Sequence, residues 1–97
     1  MTSNAAILDR LYAIVQERKA NAPPGSYTAS LFAKGQVEMA KKLGEEAIEV
    51  IVASSQGQRE RIVYESADLL YHLLVLLAHH DIAPDAVYAE LERRMKP

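Results

Sequence analysis

Two stretches of this chain, Leu43–Val52 and Leu69–Leu77, place apolar side chains at nearly every helical angle. Acids interrupt the first and lead straight into the second. A helix that is apolar all round is buried all round. Ninety-seven residues allow one domain, which at this size buries about 60–70% of its unfolded surface. A few further helices from so short a chain cannot enclose two such segments. The leftover apolar face then has to pack on another chain, most simply a twofold copy. The expectation is an all-α, four-to-five-helix bundle over residues 1–97, completed as a homodimer or a larger homo-oligomer. Its interface is expected to draw on the leucines of Leu69–Leu77.

The remaining segments fit this class. Ile7, Leu8, Leu11, Ile14 and Val15 recur at helical spacing and predict an amphipathic helix over about 5–19. Asn21-Ala22-Pro23-Pro24-Gly25-Ser26 breaks it, since two prolines and a glycine cannot continue a helix. Tyr27–Ala33 reads as a short helical turn ending near Gly35. A long helix is expected from about Gln36 to Ser54, stopped by Ser55-Gln56-Gly57, and another from about Gln58 to His80. Pro84 with Asp85 opens a last one to about Arg94. No period-2 pattern calls for a strand.

Composition narrows the function classes. A net charge of −2 offers no basic footprint for nucleic acid. Without cysteine there is neither a disulfide framework nor a thiolate metal site, which points to the cytoplasm. Met1 to Ala6 lacks the basic and apolar regions of a signal peptide. The longest unbroken apolar run, Leu73–Ala78, is far short of a membrane span, so no membrane partner is expected.

The acids carry the chemistry. Glu46/Glu49 and Glu65/Asp68 are i,i+3 pairs, so each projects its oxygens from one helix face. Glu45, Glu46 and Glu49 lie within about 100° of arc. If the short Ser55–Gly57 connection makes the two helices antiparallel, four or five carboxylates surround one volume. Acids among aliphatic residues are costly unless neutralised, and oxygen-only ligation suits Mg²⁺ or Mn²⁺ rather than zinc. The alternative is a solvated acidic stripe with Glu45 and Glu49 paired to Lys41 and Lys42. A di-iron bundle is excluded because it needs Glu-x-x-His, which occurs nowhere here. Lys42 falls on the carboxylate side and Lys34 stands beside Gly35; each could meet a phosphate or only a neighbouring acid and water. His72, one turn after Asp68, could touch a ligand or pack against Asp68. Tyr27, next to the loop, is the best-placed aromatic for a ligand, whereas Tyr12, Tyr64, Tyr71 and Tyr88 read as core-edge residues. Gly44, inside a helix, signals close approach of a ligand or of another helix.

Gly44-Glu45-Glu46-Ala47-x-Glu49-Val50 with Glu65-Ser66-Ala67-Asp68 resembles the EExxE…ExxD signature of the all-α nucleoside triphosphate pyrophosphohydrolases, the MazG-like group. Ser26-Tyr27-Thr28-x-x-Leu31, Lys34-Gly35, Lys41-Lys42-x-Gly44 and Asp68-Leu69-Leu70-Tyr71-His72-Leu73 are similar, within it, to the phosphoribosyl-ATP pyrophosphatase family of histidine biosynthesis. The resemblance spans about residues 7–94. It implies Mg²⁺-dependent hydrolysis of phosphoribosyl-ATP to phosphoribosyl-AMP and pyrophosphate, the second step of that pathway. It also implies that Glu46, Glu49, Glu65 and Asp68 hold Mg²⁺ and that Glu45 is a further ligand or orients the attacking water. Lys34, Lys42, Tyr27 and His72 would contact the substrate. A house-cleaning (d)NTP pyrophosphatase and a non-catalytic helical dimerisation module are the competing readings.

Overall fold

A computed structural model of the chain describes residues 6–96. Its elements are α1 (Ala6–Asn21), α2 (Tyr27–Lys34), α3 (Gln36–Gln56), α4 (Arg59–His79) and α5 (Pro84–Arg94), with no strand among the described residues. The expected helix start near residue 5 and the reading of the first residues as leader-free fall at residues 1–5, outside the described residues. The molecule is all-α, as the periodicity requires.

The boundaries show local chemistry at work. α1 outlasts its expected end at residue 19 because the two prolines act only beyond Ala22. Ala22 takes φ 45° while its N–H still donates to the Arg18 carbonyl at 2.9 Å, and Asn21 Nδ2 donates back to Glu17 at 2.7 Å. Ser26 caps α2, its Oγ accepting from the Ala29 N–H at 3.0 Å, which satisfies a donor the helix cannot. A single residue, Gly35, then closes α2 and opens α3. Its N–H donates to Leu31 and its carbonyl accepts from Met39, at φ 93° and ψ −177°, a region essentially reserved for glycine. α4 ends in a Schellman arrangement, with Ile82 N–H on the Leu77 carbonyl and Asp81 N–H on that of Ala78. Lys19 of α1 reaches across to the same end, donating to the Ala78 carbonyl at 2.7 Å and pairing with Asp81 at 3.0 Å.

α3 and α4 form an antiparallel hairpin, the most extensive helix pairing in the molecule. α1 packs on α4, α2 on both α1 and α3, and α5 on α1, where Tyr88 Oη donates to Asp9 at 3.1 Å. The core joins Tyr12 and Val15 of α1, Leu31 of α2, Met39 of α3, and Leu74, Val75 and Ala78 of α4. It therefore sits at one end of the hairpin, where α3 begins and α4 finishes. Toward the other end only Ala53 is buried, while Ile48 (60% exposed), Ile51 (67%), Val63 and Tyr64 face outward. Tyr64 is not the core-edge residue its amphipathic character suggested, because the core stops short of it. Leu74, one of the leucines expected at an interface between chains, lies in the chain's own core beside Val75.

α4 is long and apolar enough by composition to cross a membrane. Asp68 near its middle argues against that, since an aspartate at the centre of a spanning helix costs about 2.5–3.5 kcal/mol. In the bundle the same residue faces an acid on α3, as described below.

Leu31 is 1% exposed and is the buried anchor of α2. Leu31→Ala should cost about 2–5 kcal/mol of stability through lost transfer energy and the cavity left behind. Urea unfolding followed by circular dichroism measures this; an unchanged midpoint would remove α2 from the cooperative core.

Candidate metal and nucleotide site

The antiparallel hairpin brings the two acid clusters together midway along its length. Glu46 of α3 and Glu65 and Asp68 of α4 each offer one carboxylate oxygen, and the three oxygens lie within 4.8 Å of one another. All three residues are half-buried. Burial raises the Glu46 carboxyl above its ordinary value, with the Asp68 and Glu65 charges adding to it and His72 opposing. Like charges so placed repel, and in a partly desolvated setting the repulsion is expensive. Three convergent hard oxygen donors without nitrogen or sulfur are the donor set of Mg²⁺ or Mn²⁺.

The other two acids have partners of their own. Glu49 lies 3.7 Å from Arg61 Nη2, which is also 3.5 Å from Glu65, and it stands outside the trio. Glu45 pairs with Lys42 at 3.5 Å. Three of the four expected metal ligands thus converge, and the fourth is held by a guanidinium that spacing alone did not single out.

A hydrogen-bonded aromatic group adjoins the acids. His72 is buried; its Nδ1 lies 2.8 Å from the Asp68 carbonyl and its Nε2 3.2 Å from Tyr27 Oη. The carbonyl can only accept, so Nδ1 carries a proton, and in the neutral ring Nε2 accepts from the tyrosine. Both ring nitrogens are engaged within the chain. Histidine packing against Asp68 is therefore what the structure realises, through the backbone of that residue. Tyr71, which read as a core-edge residue, hydrogen-bonds Thr28 and stacks on Tyr27 with ring centroids 6.3 Å apart. Two hydrogen bonds thus join the start of α2 to α4. Thr28 lay inside a quoted motif, but only the tertiary contact shows what it holds.

Tyr27 is half exposed (49%) on the acid side of this group. Its phenol, followed by Glu45 and Glu46, holds the Lys42 ammonium above its ordinary range. Lys42 and Tyr27 therefore stand together beside the carboxylates. Lys34 is exposed in the last turn of α2 and makes no ion pair among the described residues. For Gly44, a Cβ added there would meet nothing within 4 Å. No helix among the described residues approaches it within that distance.

The sequence has counterparts in known proteins. The profile of the family described as phosphoribosyl-ATP pyrophosphohydrolase matches residues 8–95. A phosphoribosyl-ATP pyrophosphatase of Geobacter sulfurreducens is 56% identical over 94 residues, covering 97% of this chain and 87% of the relative. One of Sulfurisphaera tokodaii is 53% identical over 96 residues, covering 99% and 100%. One of Saccharolobus islandicus is 50% identical over 90 residues, covering 93% and 96%. The matched span contains the hairpin, all five acids, and the Tyr27–His72 group. With so much of both partners aligned at half identity or more, the chain belongs to the phosphoribosyl-ATP pyrophosphohydrolase family.

Proposed function

We propose that this chain hydrolyses phosphoribosyl-ATP to phosphoribosyl-AMP and pyrophosphate, the second step of histidine biosynthesis, in the cytoplasm where its nucleotide substrate is made. The observation that carries this reading is the convergence of Glu46, Glu65 and Asp68 across the α3–α4 hairpin, in a chain whose relatives are named for that activity. Glu46, Glu65 and Asp68, joined by Glu49, would hold Mg²⁺, with Mn²⁺ as a possible substitute. A divalent cation in such a site neutralises phosphate charge at the attacked centre and on the leaving pyrophosphate. Glu45, half exposed next to Glu46, would be a further ligand or would orient the attacking water and take its proton. Lys42 supplies positive charge beside the acids, and Lys34 adds to it from the end of α2. Tyr27 presents its ring to the substrate, and His72 acts by holding that ring in place through Nε2. Pyrophosphate release from phosphoribosyl-ATP, ATP and dUTP, with and without Mg²⁺, tests the reading. Phosphoribosyl-ATP should be preferred and turnover should require the metal; a preference for dUTP would assign a house-cleaning role instead.

The same reading includes a homodimer or a larger assembly built from it. Val37, Ala40, Gly44, Ile48, Ile51 and Ser55 are exposed along one side of α3, a stripe of small and apolar residues that lets another helix approach closely. Val63, Tyr64 and Leu70 continue the apolar surface on α4. The accessible surface of 6766 Å² exceeds the about 5,500 Å² expected of a compact monomer of this mass. A second copy is the simplest occupant for so much uncovered apolar area.

Three outcomes are expected. Glu49→Gln and Asp68→Asn should each lower Mg²⁺-dependent turnover at least hundredfold while the far-ultraviolet spectrum stays helical; activity within tenfold of the parent in both would take these acids out of the site. The second outcome concerns pH. Because the folded Glu46 carboxyl is raised, the metal-free folded state holds that proton more tightly than the unfolded chain does. Stability from this group is therefore fully present below the ordinary carboxylate value and is lost as pH rises from there through the raised one. In chelator, stability of the parent should fall more steeply as pH rises above the ordinary carboxylate range than that of Glu46→Gln, and equal slopes would contradict the crowding of the trio. Third, sedimentation at micromolar concentration should give a dimer or larger species, with a melting temperature that rises with protein concentration. Ile51→Glu should shift it toward monomer, and a well-folded monomeric parent would sink the assembly.

A further inference from the structure

Arg61 has no part in the chemistry above, yet it touches both acid clusters. Its Nη1 donates to Gln56 Oε1 at 2.9 Å, which ties the guanidinium to the last residue of α3. Its Nη2 lies between Glu49 Oε1 at 3.7 Å and Glu65 Oε2 at 3.5 Å. One of these acids is on α3 and the other on α4, and Glu65, with its side chain 13% exposed, also belongs to the convergent trio. Both contacts are longer than the 2.7–2.9 Å of a strong charge-assisted hydrogen bond. They are electrostatic contacts that can be given up without breaking a well-formed fork.

We propose that Arg61 is a positioning residue that serves as the resident counter-cation of the metal-free site and exchanges with the divalent ion at Glu49 and Glu65. The inference rests on the metal-binding reading of the trio. A guanidinium and a divalent ion draw on the same lone pairs, and neither carboxylate can satisfy both at full strength. While Arg61 holds Glu49, that acid stays apart from the other three ligands. A divalent ion would draw Glu49 and Glu65 away from the guanidinium, which would keep its hydrogen bond to Gln56. An ordinary exposed ion pair contributes little either way; this one differs because breaking it frees a ligand.

Divalent-ion affinity, read by calorimetric titration of Mn²⁺ without substrate, separates the possibilities. Arg61→Met should bind Mn²⁺ at least threefold more tightly than the parent, and in chelator it should melt at a lower temperature, with Mn²⁺ restoring more of the loss. Arg59→Met is the control for net charge, since Arg59 is exposed and makes no ion pair among the described residues; it should change affinity by less than twofold. Arg61→Lys, which keeps the charge but cannot span Gln56 and both acids, should fall between the parent and Arg61→Met, and it serves as the second variant should Arg61→Met fold poorly. Equal tightening in Arg59→Met and Arg61→Met would reduce the effect to net charge and overturn the exchange. Weaker binding in Arg61→Met would also overturn it, since Arg61 would then organise the ligands. Absence of Mn²⁺ binding in the parent and every variant would remove the metal reading and this inference with it, whereas a parent that binds and an Arg61→Met that does not tighten removes the inference alone.

Discussion

The mutual repulsion of Glu46, Glu65 and Asp68 is the interaction around which the other parts of this molecule are arranged. Carboxylates whose oxygens lie within 4.8 Å on two packed helices work against the packing that brings them together. The hairpin tolerates them because the two acids outside the trio are paired, Glu45 with Lys42 and Glu49 with Arg61. It tolerates them also because a well-packed core lies at one end, where Met39, Leu74 and Val75 meet α1 and α2. Stability and chemistry are thus separated along the hairpin axis. The apolar end holds the fold, and the middle carries the crowded carboxylates.

The aromatic group links these two regions. Its histidine takes its tautomer from a backbone carbonyl of the acid helix and orients a tyrosine from the helix next to the core. A side chain fixed at both ring nitrogens loses little freedom when a ligand arrives, which is the condition for placing a partner group accurately. The assignment of roles follows from this: the exposed ring of Tyr27 faces outward, and the buried ring of His72 sets its direction.

Much of this was legible in the sequence, for reasons that differ from residue to residue. The acid pairs could be read because i,i+3 spacing is local geometry, and the short Gly57 connection dictated the antiparallel hairpin that joins them. Gly35 and Pro84 marked helix ends for opposite reasons: glycine alone readily takes the positive φ of that junction, and proline's fixed φ suits a first helical turn. Arg61 escaped notice because its partners come from two helices, and only the hairpin register brings Glu49 within its reach. The same register keeps Glu49 out of the trio, which spacing alone would have included. Tyr64 was misplaced for a different reason: amphipathic character shows that a side chain wants a partner but not whether its own chain supplies one. α1 ran past its expected end because Pro23 restricts nothing earlier than Ala22, and the helix stops at Ala22 in a left-handed conformation.

The one-residue junction at Gly35 has a mechanical consequence. α2 is eight residues long, a rod of about 12 Å pivoted at a residue whose dihedrals are the least restricted of any amino acid. A turn of about 20° at that pivot would swing Tyr27, at the far end, by about 4 Å. The hydrogen bonds from Tyr27 and Thr28 to α4 sit at that far end, where a latch has the greatest leverage. Weak bonds there restrain a motion that stronger contacts near the pivot could not. The half-exposed ring of Tyr27 therefore rides on a lever whose catch is made of two side-chain hydroxyls.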